Sequence, residues 1–122
     1  MNLRKTTLFF LCISLVLIAG EVEEVDRISK LERWKGSKVE VRQWDYSRVD
    51  MITETHAIEV DWSSKWAEAI GQSLYYAELT GKKPGIILLV KNTQKEARYI
   101  YRCQTVCAKH NIKLWLEQVE DE

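Results

Sequence analysis

Glu59 and Asp61 stand two residues apart in the run Ala57-Ile58-Glu59-Val60-Asp61-Trp62. Its alternation predicts a strand, so both carboxylates project to one face while Ile58, Val60 and Trp62 take the other. Asp50 lies in the preceding alternating run, Arg48-Val49-Asp50-Met51-Ile52, within reach of that face if the register allows. Three carboxylates on adjacent strands repel one another and raise each other's pKa, and a hard divalent ion with oxygen ligands is the usual resolution. The bland alternative is a solvated acidic face. Lys65, Gln72 and Tyr76 follow at intervals of seven and four, which at about 100° per residue is one stripe of a helix. Trp66, Ile70, Leu74 and Ala77 form the neighbouring apolar face. An ammonium beside carboxylate-bound metal can orient a water or offset charge on a scissile phosphate. Its bland alternative is a solvated first-turn lysine.

A second cluster, Cys103, Cys107 and His110, has the spacing C-x3-C-x2-H on one predicted helix. Structural zinc takes four ligands, and His56 is the one other histidine, so burial of the two thiols on the stripe they share with Ile100 is the better account. Two cysteines four apart on one helix also direct their Cβ atoms poorly for a disulfide. The sequence carries no glycine-rich phosphate loop, nucleophile elbow or His-Glu-x-x-His motif.

The elements that must position these residues occupy most of the chain. It has 122 residues, 46% hydrophobic and 30% charged, with one Pro and five Gly, values that suit a single folded domain and exclude a collagenous or disordered chain. Eighteen basic residues balance eighteen acidic ones, so net charge alone draws the protein to no polyanion. Arg4 and Lys5 precede the apolar stretch from Leu8 to Ala19, ending at Gly20. This is the pattern of a signal peptide over residues 1–20, and it is shorter than the roughly 20 apolar residues of a spanning helix. The expectation is export, periplasmic or secreted, with an uncleaved membrane anchor over residues 6–20 as the alternative. Without Arg4 and Lys5 the remainder has sixteen basic and eighteen acidic residues, a net charge of −2.

Over residues 21–122 the periodicity predicts one domain. Val22, Val25, Ile28 and Leu31 mark a helix from Glu21 to Trp34. Strands are predicted at 38–42, 48–52 and 57–62, close enough together to form an antiparallel meander. A helix from Lys65 to Leu79, with Ser63-Ser64 offered as its N-cap, runs to Thr80-Gly81. Pro84-Gly85 breaks the chain before Ile86-Ile87-Leu88-Leu89-Val90, the continuous apolar run of a strand buried on both faces. A helix over 93–109 and a strand over 112–116 complete the order αβββαβαβ, an α/β mixed sheet flanked by helices, its later strands parallel.

With Arg48-Val49-Asp50, Ile58-Glu59-Val60 and Gln72-x-x-x-Tyr76 on successive elements, the chain resembles the PD-(D/E)XK nuclease superfamily, in its RecB-type and Holliday-resolvase-like branch. The resemblance covers most of residues 21–122 as topology and only a handful as motif. It implies a restriction-endonuclease-like fold and hydrolysis of phosphodiester bonds in DNA or RNA with Mg²⁺ or Mn²⁺. Asp50 and Glu59 would hold the metal with the Val60 main-chain carbonyl, and Gln72 and Tyr76 would lie by the nucleic-acid backbone. An acid of the first helix often joins such sites: Glu24 is the candidate, with Glu21, Glu23 and Glu32 competing. The family's lysine belongs two residues after the acid, where this chain has Asp61; Lys65 stands where a lysine recruited from the next helix would be. The catalytic set is then Asp50, Glu59 and Lys65, with Asp61 as a further ligand; otherwise the fold is a catalytically inactive binding domain. Arg42, Arg48, Lys82 and Lys83 are candidate phosphate contacts, and Trp44 and Tyr46 could stack on unpaired bases or pack on the first helix. Some small members of the superfamily are dimers, so a homodimer is implied by the resemblance alone.

Overall fold

The run Ile86–Val90 carries apolar side chains at every position, and all five are buried. Such a segment needs cover on both faces, so it must lie centrally with helices above and below. The computed structural model of the chain describes residues 23–120 and has this arrangement. Residues 23–29 form helix α1. After a 3-10 turn at Glu32–Trp34 come β1 (Lys38–Arg42), β2 (Arg48–Ile52), β3 (His56–Trp62), a second 3-10 turn (Ser63–Lys65), α2 (Trp66–Thr80), β4 (Lys83–Val90), α3 (Thr93–Lys109) and β5 (Lys113–Gln118). The five strands form one sheet in the order β1-β2-β3-β4-β5. β1, β2 and β3 are an antiparallel meander, whereas β3, β4 and β5 run parallel. The expected α/β mixed sheet flanked by helices is therefore what forms. The predicted signal segment lies outside the described residues, as does the start of the first predicted helix; among the described residues no helix is long and apolar enough to cross a membrane.

The pleat divides the core in two. Ile58, Val60, Ile87 and Leu89 pack with Val25 and Ile28 of α1, with Met51 and with Trp34. Ile86, Leu88 and Val90 face the other way, against Ala69 of α2 and Ile100, Cys103 and Cys107 of α3. Both crossover helices thus cover one face, as crossovers of one hand do when strands are added in one direction. The registers Glu59↔Ile86 and Asp61↔Leu88 put the two carboxylates on this α2–α3 face, and α1 on the opposite one.

Local differences from the sequence reading have physical causes. The first helix stops early because Leu31 turns extended, at φ −64° and ψ 144°, and a 3-10 turn then swings Trp34 into the core. There its ring meets Trp115 edge-on at 4.9 Å, and its indole N–H donates to Glu117 Oε1 at 3.3 Å. Pro84 and Gly85 lie inside β4 rather than before it. Pro is tolerated near a strand's first residue, and Gly85 is where the Trp115 ring lies against the backbone: a Cβ there would be 2.8 Å from Trp115 Cζ3. α2 begins at Trp66 with no side-chain cap, because the 3-10 turn Ser63–Lys65 puts Lys65 and neither expected serine at the N-cap position; the Ser63 hydroxyl donates to Glu96 Oε1. Burial pushes the Glu96 carboxyl up, but the Ser63 hydroxyl, the N–H groups of Asn92 and Lys91 and the Lys91 charge outweigh it and hold it below its ordinary value.

His56, at the start of β3, is in register with Lys83 and packs edge-on against Trp115 at 5.5 Å. Burial, and then the charges of Lys83 and Lys113, depress its pKa below the ordinary 6.5. The folded protein therefore binds this proton less readily than the unfolded chain, so stability is fully present above about pH 6.5 and is lost as pH falls through the depressed value. Denaturant midpoints at pH 8 and pH 5.5 should show the lower stability at pH 5.5, and His56→Gln should reduce that difference. An unchanged pH dependence in the variant would assign the loss elsewhere.

Candidate functional site

β3 pairs with β4 along its whole length, through Trp62↔Leu89, but with β2 only at Met51↔Ile58 and Ile52↔Ala57. Continuing that antiparallel register would set Asp50 opposite Glu59. At that point the strands part, and Asp50 Oδ2 accepts the Val60 N–H at 2.8 Å in place of a backbone carbonyl. In a strand the N–H and C=O of one residue share an edge, so the Val60 carbonyl faces the same gap. Met51 and Val49, flanking Asp50, are both buried, which fixes the strand and hence where Asp50 can reach.

Glu40 belongs to this row as well. The pairs Val39↔Met51 and Val41↔Val49 bracket it, putting it opposite Asp50, so that Glu40, Asp50 and Glu59 lie abreast on three strands. Its φ is +50°, an uncommon conformation for a non-glycine residue in a strand, with a cost on the order of 1 kcal/mol. Arg48 Nε lies 3.5 Å from Glu40 Oε2. Glu59 and Asp61 are each only 5% exposed, and Asp61 Oδ1 accepts the Trp62 N–H at 2.8 Å. Sequence reasoning overlooked Glu40 because no local spacing shows which residue of β2 faces it, and its positive φ departs from regular alternation.

Tyr76 closes the row from α2. Its ring is buried with Val49 and Ala57, and its phenol is pushed well above its ordinary pKa by burial first, then by the charges of Glu59, Asp50 and Glu40. It is a neutral donor at physiological pH. Gln72, one turn earlier, is exposed, and Lys65 is half-buried at the end of the 3-10 turn that leaves β3. The predicted Lys65-Gln72-Tyr76 stripe is thus split. The buried residues of α2 are Ala69, Ser73 and Tyr76, with Trp66 and Ile70 packed beside them, while Leu74 is exposed. The face turned to the sheet is the stripe Trp66, Ala69, Ile70, Ser73 and Tyr76, spaced by three and four, which leaves Leu74 at its edge.

Most other candidates fall away from the row; Arg48 stays beside it through its contact with Glu40. Glu24 is paired with Arg27 at 2.6 Å on α1, whose packing is on the other sheet face; Glu23 and Glu32 are exposed, and Glu21 lies outside the described residues. Lys82 Nζ donates to the Glu54 carbonyl at 2.9 Å, and Lys83 sits beside His56 at the opposite end of β3 from Asp61. Arg42 and Arg48 are register partners at the base of the β1–β2 connection. Cys103 and Cys107 are buried against the sheet with Ile100, their Sγ atoms 3.8 Å apart, and His110 is exposed.

Among the described residues no three His, Cys, Asp or Glu side chains are placed to hold a metal ion. Mg²⁺ asks for less: it keeps several waters and is held by one or two carboxylates. The Asp50 and Glu59 oxygens with the Val60 carbonyl are a hard donor set of that kind. Comparison with protein-family models, curated proteins and solved structures finds no match to this chain.

Proposed function

We propose that the chain is a metal-dependent nuclease of the PD-(D/E)XK kind, with a restriction-endonuclease-like fold, hydrolysing phosphodiester bonds of DNA or RNA. The observation that carries this reading is the parting of β2 from β3 at Asp50 and Glu59, with the Val60 carbonyl on the same edge. The meander followed by two parallel strands supports the fold assignment. Export directed by residues 1–20 belongs to the same reading.

Asp50, Glu59 and the Val60 carbonyl would hold Mg²⁺ or Mn²⁺, which when bound polarises the phosphate and lowers the pKa of an attacking water. Lys65 offsets charge developing on the phosphate. Gln72, exposed on α2, is free to orient substrate, and Tyr76 donates its retained proton rather than acting as a base. Asp61 is a further acid beside the metal ligands. Its presence where the family has lysine favours a second reading, a nuclease-fold domain that binds without cleaving.

The test is incubation of the full-length chain with supercoiled plasmid, single-stranded DNA and RNA, in Mg²⁺, Mn²⁺ or chelator, beside Asp50→Ala. Metal-dependent cleavage by the parent and none by the folded variant is the expected result. No cleavage by the parent in any condition would retire the enzyme in favour of the binding domain.

A further inference from the structure

The connection between β1 and β2 holds two large aromatic rings in solvent. Trp44 is 82% exposed and Tyr46 79%, yet the loop that carries them is tied down at several points. Gln43 N–H donates to the Ser47 carbonyl at 2.8 Å, and Tyr46 N–H to the Gln43 carbonyl at 3.0 Å. Asp45 Oδ1 accepts the Ser47 N–H at 3.0 Å and its hydroxyl at 2.6 Å. The other Asp45 oxygen accepts the Tyr75 hydroxyl of α2. Tyr46 itself has a φ of +71°, a conformation that a bulky side chain rarely adopts and that glycine or asparagine would take more cheaply. Folding does not call for a strained tyrosine and an exposed tryptophan at this turn.

At the root of the loop, Arg42 and Arg48 are cross-strand partners and both are exposed. Behind it, the Tyr75 ring is 6.4 Å from that of Tyr76, which borders the carboxylate row. Arg48 precedes Asp50 by two residues on the same strand. The surface therefore runs from exposed rings, past two guanidinium groups, to the gap between β2 and β3.

We infer that the β1–β2 loop is a stacking platform for an unpaired nucleic-acid strand, with Trp44 and Tyr46 taking bases and Arg42 and Arg48 the phosphates between them. In a duplex the base faces are already stacked on one another, so rings on a rigid loop find π-faces only where bases are unpaired. A sequence-tolerant, salt-dependent preference for single strands follows. The inference rests on the nuclease reading for its choice of nucleic acid as ligand, and it gives that site a substrate class, single-stranded or locally unwound.

Binding of fluorescein-labelled oligo(dT) to the full-length chain in chelator tests it without requiring cleavage. Trp44→Ala and Tyr46→Ala should each raise Kd about 5- to 100-fold, the range that loss of one base–aromatic stack produces. Trp44→Phe should stay within about threefold of the parent, since a ring remains. A blunt duplex of equal length should bind more weakly and be indifferent to these substitutions. Equal binding of oligo(dT) by parent and alanine variants, or none by the parent, overturns the inference. So does binding to anionic phospholipid vesicles that the alanine variants lose while oligo(dT) is unaffected, which would make the loop a membrane contact. Trp44-dependent oligo(dT) binding without metal-dependent cleavage would retire the nuclease and keep the platform; cleavage that Trp44→Ala and Tyr46→Ala leave intact on single strands would do the reverse.

Discussion

Glu59→Gln should lower metal-dependent cleavage by at least about 10²–10³-fold, the scale lost when one preorganised electrostatic group is removed from an active site. The amide has nearly the carboxylate's volume, so the buried place of this side chain on β3 stays filled and the chain stays folded. A second readout separates a metal site from a purely structural cluster of Glu59, Asp61 and Lys65. If the row binds metal, millimolar Mg²⁺ or Mn²⁺ raises the parent's Tm, by linkage worth about 2.7 kcal/mol at one hundred times Kd, and Glu59→Gln loses that rise. If the cluster is a structural ion pair, the variant melts lower in chelator, because breaking a buried pair costs about 3–5 kcal/mol, and metal shifts neither protein. An equal metal-induced rise in parent and variant would remove Glu59 from the ligand set. Lys65→Ala in the same assays tests the recruited lysine: its activity should fall while the metal-induced rise persists.

The largest stability effect expected from a small change is at Gly85. A methyl group there would lie 2.8 Å from Trp115 Cζ3 and 3.2 Å from Ile58 Cγ1. Neither neighbour can easily retreat. Trp115 is held edge-on by Trp34 and His56, and Ile58 is fully buried between β2 and β4. Gly85→Ala should therefore cost about 1–3 kcal/mol through overpacking. At about 4–8 °C per kcal/mol for a domain of this size, Tm should fall on the order of 10 °C. Combining it with Trp115→Leu should give a loss smaller than the sum of the two single losses, because the clash is with that ring. A shift in Gly85→Ala below about 2 °C would show that the sheet yields at this point.

Much of the architecture was legible because it depends on local patterns. Ile86–Val90 is apolar at every position, so the central strand could be recognised without a partner, and alternation over residues 57–62 set Glu59 and Asp61 on one side. The close spacing of the first three strands leaves room only for turns, so their antiparallel pairing followed from length. Pro84-Gly85 misled because its meaning is tertiary: the glycine is there for an indole 30 residues further along the chain. Of the apolar face expected on α2, Trp66 and Ile70 do pack on the core, but the buried stripe continues through Ser73 and Tyr76 and not through Leu74, because the orientation of the helix is set by its packing on the sheet and on α3.

The sequence by itself determined that Glu59 and Asp61 share one face of β3, because side-chain alternation is a property of a regular strand alone; around Asp50 that regularity fails, since Val49 and Met51 pack in different cores. Which acids meet was decided only by the tertiary structure. Register across β1, β2 and β3 is set by how Met51, Ile58 and Val49 fill the core, and a slip of one residue would turn Asp50 away from Glu59. That register brought in Glu40, sent α1 and Glu24 to the opposite face, and let Asp50 rather than a backbone carbonyl satisfy Val60. Packing of residues far apart in the chain sets these pairings, and no local spacing encodes them.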